Sequence, residues 1–396
     1  VILSDHLARS DDAREELEQA LAINPGYVPA LINLGNLAED HGDRAEAKAA
    51  YQRALAVNPS SSLALARMAG ISDPDEGLTG RLHNALDRPD LEAADRAALG
   101  FALGRLLDAA GDYDRAFVAY ADANRASRAT PGFRRYDAAA HEQFIDRLIA
   151  TFDKPAPTTP RLPGETPLFI CGMFRSGSTL VERMLAAHGK VVAGGELDLI
   201  PSIVESLVPY PEAAGEAEAI THARSTYVAG LSSIHPAGRV VTDKRPDNFL
   251  HIGLIKAMFP AARIIHTRRN PLDNILSLYF LHLDPGMAYA LDLEDAAHWY
   301  RQYQRLMDHW KSLYGEDIFD VDYDELVGNP QPVAEALLAF CGLDWDERCL
   351  SPHRVPGSVR TASVWQVREP LHQRSSGRWQ NYQAQLVELR KLFPKA

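Results

Sequence analysis

The chain has 396 residues, of which 46% are hydrophobic and 24% charged, an ordinary composition for a globular protein of about two domains. Its net charge of −12 disfavours a nucleic-acid-binding protein, because such proteins need a basic surface. Three cysteines are too few for a disulfide framework, and no apolar run approaches the ~20 residues that span a bilayer. We therefore expect a cytoplasmic protein; because the chain does not begin with methionine, this expectation leaves room for an upstream targeting segment.

A repeat of 34 residues marks the first part of the chain. The segment ALAINP at residues 20–25 recurs as ALAVNP at residues 54–59. Small residues, a tyrosine and a closing proline stand where tetratricopeptide repeats pack two helices together. A third copy covers residues 103–123, whereas residues 62–96 fit the period less well. We predict an all-α tetratricopeptide-repeat (α-solenoid) domain over residues 1–150 that grips a protein or peptide partner, with a purely structural role or a plain helical bundle as alternatives.

A second domain is predicted after a proline-rich linker at residues 151–165. Over residues 166–396, short apolar runs alternate with segments of helix length, which predicts an open parallel sheet with helices on both faces. Ligands of such sheets bind at the carboxyl ends of the strands. The predicted strands are Leu168–Cys171, Arg239–Thr242, Arg263–His266 and Ile318–Val321.

The first predicted strand leads into a glycine-bearing loop and then a helical pattern, which is the layout of a phosphate-binding loop. The spacing nearly matches a Walker A motif, but Ser178 stands where that motif has its lysine, and the positive charge lies at Arg175. The missing lysine disfavours a P-loop nucleotide kinase or ATPase. That class stays open as an alternative, together with a catalytically silent repeat scaffold.

The loop sequence Arg-Ser-Gly-Ser-Thr-Leu resembles the 5′-phosphosulfate-binding loop of sulfotransferases that use 3′-phosphoadenosine 5′-phosphosulfate (PAPS). Among them, the chain looks most similar to bacterial repeat-bearing enzymes related to tyrosylprotein sulfotransferases, over about residues 166–380. The resemblance implies a P-loop-like, three-layer α/β domain that transfers a sulfuryl group from PAPS to a hydroxyl, such as that of protein tyrosine. The other product would be adenosine 3′,5′-bisphosphate (PAP). The implied cofactor-binding loop residues are Arg175, Ser176, Gly177, Ser178, Thr179 and Leu180.

The same resemblance implies the catalytic residues. Glu196 matches the general base that deprotonates the acceptor hydroxyl, with Asp198 as the alternative base. Lys244 matches the lysine that stabilises the charge growing on the leaving phosphate. A hydroxyl from Ser363 or Thr361 is expected to donate a hydrogen bond to the transferring group, and Arg175 is expected to contact that group as well.

A second anion site is implied for the 3′-phosphate of PAPS. Arg269 and Ser277 have the spacing of the residues that bind this phosphate in the family, and Arg378 matches a further basic residue that reaches it. Tyr323 matches a tyrosine near the cofactor, although a packed aromatic residue explains the position nearly as well. The sequence shows no cluster with metal-ligand spacing, so we expect no metal cofactor.

Overall fold

The computed structural model describes residues 10–156, 167–234, 239–283, 285–355, 357 and 364–394. Most of the predicted linker, as well as Thr361 and Ser363, lies outside these residues, and the predicted domain limits stay a prediction. Among the described helices, none is long and apolar enough to cross a bilayer.

The predicted repeat region consists of paired helices, as expected. Their close packing depends on glycine facing tyrosine: a Cβ at Gly35 would lie 2.3 Å from the ring of Tyr51, and one at Gly104 would lie 2.7 Å from that of Tyr120. Both tyrosine side chains are buried. The helices are α1 (Ser10–Ile23), α2 (Val28–His41), α3 (Arg44–Val57), α4 (Ser62–Ile71), α5 (Glu76–Leu86), α6 (Ala93–Ala109), α7 (Tyr113–Arg128) and α8 (Ala138–Thr151).

The second region contains the predicted parallel sheet. The described residues form five strands in the order β2-β3-β1-β4-β5, and every pair of neighbours is parallel. Strand β1 is buried along its whole length, which explains its continuous apolar sequence. The strands are β1 (Leu168–Gly172), β2 (Val191–Ala193), β3 (Val240–Lys244), β4 (Ile264–Arg268) and β5 (Ile318–Asp322). The α/β prediction is confirmed, although the short strand β2 was not predicted.

Helices cover both faces of this sheet. They are α9 (Ser178–Ala186), α10 (Leu199–Ser206), α11 (Ala217–Ile234), α12 (Ile252–Met258), α13 (Pro271–Tyr279), α14 (Leu293–Tyr314), α15 (Tyr323–Gly328), α16 (Pro330–Cys341) and α17 (Val387–Leu392). Short 3₁₀ turns include Pro246–His251, Gln366–Arg368 and Arg378–Tyr382. Helix α13 begins at Pro271, and the Asn270 side chain accepts hydrogen bonds from two backbone N–H groups of its first turn.

The strand order places a topological switch at β1. The chain leaves β1 through α9 toward β2 on one side of the sheet, and it leaves β3 toward β4 on the other side. In open α/β sheets, ligands bind in the crevice that such diverging connections leave at the carboxyl ends of the strands. The functional site is therefore expected where β1, β3 and β4 end.

The repeat helices and the α/β region share one hydrophobic core. Tyr120 of α7 stacks on Phe280, with ring centroids 3.9 Å apart. The buried Asn124 side chain donates a 2.8 Å hydrogen bond to the carbonyl of Tyr279 at the end of α13. Farther along, His141 of α8 stacks on Trp299 of α14 at 3.9 Å. The two regions are thus joined by buried apolar and hydrogen-bonded contacts.

Candidate active site

The loop after β1 is held in a tight conformation. Gly172 has a φ of 147°, and a Cβ at this position would lie 2.3 Å from the carbonyl oxygen of Thr267 on the neighbouring strand β4. Arg175 has a φ of 70°, a left-handed conformation that is uncommon outside glycine and that concentrates at functional sites. The Ser176 hydroxyl is 2.6 Å from both the Met173 carbonyl and the Thr267 hydroxyl, so it fixes the shape of the loop.

The loop ends at α9, whose first residues are the predicted Ser178 and Thr179. Gly177 precedes this helix with a φ of 101°, and a Cβ there would meet the Tyr323 ring at 2.7 Å. The N-terminus of a helix presents unpaired backbone N–H groups and a positive dipole end, both of which favour an anion. The loop and Leu180 therefore have the local structure of a phosphate site.

The residues of the two predicted anion sites meet directly. Arg175 Nε donates to Ser277 Oγ at 3.2 Å, and Arg269 Nη1 donates to the Arg175 carbonyl at 3.2 Å. The Arg269 guanidinium also lies 5.0 Å from the centre of the Tyr323 ring. Four residues singled out in separate motifs are thus within one cluster at the ends of β1, β4 and β5.

The electrostatics of this cluster suit an anion. Burial, and then the nearby positive charge of Arg269, lowers the pKa of Arg175, and burial likewise lowers the pKa of Arg269. The buried Nε of Arg269 has no hydrogen-bond partner among the described residues. A phosphate group would supply that acceptor and would offset the repulsion between the two arginines. The cluster therefore fits the phosphates of PAPS.

Arg378 lies near this cluster, but its guanidinium makes a different contact. Its Nη2 is 2.6 Å from Asp108 Oδ2 of repeat helix α6, and the guanidinium lies 5.3 Å from the centre of the Phe280 ring. Its positive charge is close enough to lower the pKa values of Arg175 and Arg269. The expected phosphate contact stays a prediction, and the ion pair with Asp108 was not anticipated.

On the other side of β1, the end of β3 carries the predicted lysine. The Lys244 side chain is 1% exposed, and its Nζ is 2.6 Å from Glu196 Oε1, whose side chain is 37% exposed. The Lys244 backbone N–H also donates to the Gly195 carbonyl at 3.0 Å, so the two segments are held in register. The structure thereby pairs the predicted base with the predicted cation.

A buried carboxylate that the sequence did not single out supports this pair. Glu182 Oε1 of α9 accepts hydrogen bonds from the Gly195 backbone N–H at 2.9 Å and from the Thr242 hydroxyl at 2.7 Å. Burial raises the pKa of Glu182, whereas the nearby Lys244 lowers it. Glu182 thus fixes the loop that carries Glu196. The apolar residues of α9 recur at helical spacing, so the sequence carries no local signal that Glu182 is buried.

The alternative base has a less suitable environment. The Asp198 side chain is 82% exposed and pairs with Arg245 at 2.9 Å, so it faces solvent. His266, at the end of a predicted strand, is buried between Asp320, at 2.7 Å, and the hydroxyl of Tyr303. Within the described ranges, no group of three His, Cys, Asp or Glu residues could hold a metal ion.

Residues 366–372, near the C-terminal end of the described chain, form one wall of a pocket beside the arginine cluster. Gln366 Oε1 accepts a 2.9 Å hydrogen bond from Arg175, and Val367 is buried. Neither side chain was predicted as a site residue from the sequence. The pocket-lining residues are Arg175, Gly177, Leu180, Arg269, Tyr323, Val327, Gln366, Val367, Glu369, Pro370, Leu371 and His372.

The loop after β1 lies at the switch point of a parallel sheet and lacks the Walker A lysine, which defines an α/β domain similar to the P-loop type. Residues 167–347 match the sulfotransferase family, and residues 9–71 match the tetratricopeptide repeat. Residues 167–347 are thus similar to the sulfotransferase family, and the matched tetratricopeptide repeat precedes them, as the motifs predicted.

Curated relatives match different parts of the chain. An uncharacterised protein of Aquifex aeolicus is 33% identical over 95% of this chain and 51% of its own length. Protein-tyrosine sulfotransferase A of Caenorhabditis elegans is 24% identical over 48% of this chain and 53% of its own length. The chain spans about half the length of these curated relatives.

Solved sulfotransferase domains are similar to this chain at low sequence identity. The domain from the curacin biosynthetic pathway is 18% identical, with a TM-score of 0.42, and covers 58% of this chain and 98% of its own. The domain from the Synechococcus PCC 7002 olefin synthase is 21% identical, with a TM-score of 0.41, and covers 61% of this chain and 99% of its own.

Proposed function

We propose that this protein is a PAPS-dependent sulfotransferase that transfers a sulfuryl group to a hydroxyl acceptor and leaves PAP. The observation that carries the proposal is the arrangement around the end of β1. An arginine cluster with an unpartnered buried Nε lies on one side, and a lysine–glutamate pair lies on the other. PAPS supplies the sulfuryl group, and the protein supplies positioning, charge stabilisation and a base.

The residues divide this work between the two sides of the loop. Arg269 and Ser277, with Arg378, would hold the 3′-phosphate, and Arg175 with the loop amides would hold the 5′-phosphosulfate end. Lys244 would stabilise negative charge on the leaving phosphate, because a buried cation is already in place there. Glu196 would accept the acceptor's proton.

The acceptor that we propose is a tyrosine hydroxyl in a protein or peptide. Support comes from the relatives whose names specify protein-tyrosine sulfotransferase and from the repeats, since such arrays commonly present extended binding surfaces. The repeats would bind the acceptor protein or a partner. Transfer of labelled sulfuryl from PAPS to tyrosine peptides, with phenylalanine-substituted peptides as controls, tests the acceptor class.

The cofactor is tested by calorimetric binding of PAP, 5′-AMP and ATP to the wild type and to Arg269→Ala. We expect wild type to prefer PAP, and Arg269→Ala to lose roughly 10- to 100-fold in PAP affinity, the value of a charge-assisted hydrogen bond. The matched control is Arg268→Ala, because Arg268 is the adjacent arginine and lies 3.5 Å and 3.6 Å from Asp320 and Asp322. Equal binding of ATP and PAP, together with no effect of Arg269→Ala, would exclude the proposal.

A further inference from the structure

The C-terminal segment, residues 364–382, contacts the anion cluster directly. Gln366 Oε1 accepts a hydrogen bond from Arg175 at 2.9 Å, and the Ser375 carbonyl accepts one from Arg269 Nη2. The backbone N–H groups of Gly377 and Trp379 donate to the Asp273 side chain at 2.6 Å and 2.7 Å. The segment contains only short 3₁₀ turns, so its conformation depends on what it packs against.

The opposite side of this segment is held by the first repeat helices. Trp365 Nε1 donates a 3.0 Å hydrogen bond to Glu39 of α2, and the Arg44 guanidinium of α3 lies 4.7 Å from the centre of the Trp365 ring. Arg368 Nη2 donates to the Asp40 carbonyl at 2.7 Å. These contacts flank Gln366, which reaches the loop arginine.

A second attachment lies at the other end of the segment, on helix α6. Asp108 pairs with Arg378 at 2.6 Å through Oδ2 and accepts a hydrogen bond from the Tyr382 hydroxyl through Oδ1. Asp108 is 16% exposed and Arg378 29%, so water screens this pair less than it would an exposed one. The aspartate thereby orients the arginine that was predicted to reach the 3′-phosphate.

We propose that the repeat array helps to form the cofactor site, because α2, α3 and α6 hold residues 364–382 against the arginine cluster. The inference rests on the proposed function. Without these attachments, PAP would have to order a segment that has little regular structure of its own. The cost of that ordering in conformational entropy would weaken PAP binding. Glu39, Arg44 and Asp108 are positioning residues, since they act through Trp365 and Arg378.

This arrangement couples the repeats to the cofactor. Because coupling free energies are reciprocal, cofactor binding should strengthen the attachment of the segment to the repeats as much as the attachment strengthens cofactor binding. A protein whose affinity for α2, α3 or α6 depends on the attachment of residues 364–382 would then change the affinity for PAPS. The repeats would regulate donor binding in addition to recruiting an acceptor.

The test compares PAP affinity in the wild type, Arg44→Ala, Asp108→Asn and the control Arg53→Ala. Arg53 is an exposed arginine on the same helix as Arg44, so the control has the same loss of charge. We expect PAP to bind roughly tenfold more weakly to Arg44→Ala and Asp108→Asn, which is within the usual range for coupled sites. The PAP affinity of Arg53→Ala should equal that of the wild type. Equal PAP affinity in all four proteins would overturn the inference while leaving the proposed function intact.

Hydrogen exchange without nucleotide separates this inference from the proposed function. Amides of residues 364–382 should exchange faster in Arg44→Ala and Asp108→Asn than in the wild type and Arg53→Ala, whereas the core strands β1 and β4 stay protected. If wild type fails to bind PAP, the proposed function fails, and the exchange data still decide whether the repeats hold the segment. Unchanged exchange in both variants would refute that attachment.

Discussion

Replacement of Glu196 by glutamine separates catalysis from cofactor binding. In the wild type, Lys244 Nζ is 2.6 Å from Glu196 Oε1. Glutamine keeps the size of the side chain and an oxygen that can accept a hydrogen bond from Lys244, but it cannot take a proton at neutral pH. Loss of a general base lowers the rate by roughly 10²- to 10⁴-fold. PAP affinity should stay near that of wild type, because the arginine cluster lies on the other side of β1.

The same substitution should cost little stability. Removing one partner of a fully buried ion pair costs about 3–5 kcal/mol, whereas exposed pairs contribute about 0–1 kcal/mol. Lys244 is 1% exposed but Glu196 is 37% exposed, so solvent screens the pair. Discounted for that screening, the expected loss is about 1–2 kcal/mol, and Glu182 still lies near the lysine.

The assay measures sulfuryl transfer from labelled PAPS to a tyrosine peptide, alongside PAP calorimetry and urea unfolding. Asp198→Asn is the matched control, because it removes a nearby carboxylate that is 82% exposed. We expect this control to keep its activity. An inactive Asp198→Asn beside an active Glu196→Gln would refute the assignment of the base. Loss of PAP affinity in Glu196→Gln would refute the claim that Glu196 acts in proton transfer and not in cofactor binding.

Two further substitutions test the loop and the end of β3. Gly177→Ala places a Cβ at a φ of 101° and 2.7 Å from the Tyr323 ring, so PAP affinity should fall roughly tenfold by calorimetry, whereas Gly70→Ala, where the Cβ has open space, should leave it unchanged. Burial raises the pKa of Asp243 to about 7, so the folded state keeps a proton that the unfolded state loses near pH 4. The stability of wild type relative to Asp243→Asn should therefore fall by roughly 2–3 kcal/mol between about pH 5 and pH 7.5 in urea unfolding; parallel pH profiles would contradict this pKa.

The sheet and its loop were predictable because they depend on local sequence. Each predicted strand was recognised from two or more adjacent apolar residues. The predicted ends lie within two residues of the ends of β1, β3, β4 and β5. Strand β2 has three residues, too few to register as a pattern. Because the carboxyl ends of parallel strands meet at one edge, motifs after separate strands were expected together, although the roles of their residues stay predictions.

The supporting contacts were not predictable because their partners are far apart in the chain. Glu182 and Arg183 are both buried in α9, which no helical periodicity indicates. Glu182 is satisfied by Thr242 and the Gly195 backbone, whereas Arg183 donates to carbonyls near residues 352–355. Burial of a charged side chain is tolerated only where such partners exist, and the sequence contains no local sign of them.

The contact between the two regions also changes how the repeats are understood. A repeat array needs a terminal element that covers the apolar face of its last helices, usually a polar capping helix. Here α7 and α8 are covered by the α/β region instead, through Phe280 and Trp299. The last repeat helices therefore pack against α14 and the end of α13, which follow Arg269 in the chain. The earlier helices α2 and α6 contact residues 364–382. A partner on the repeats would thus contact helices that are attached to the proposed cofactor site.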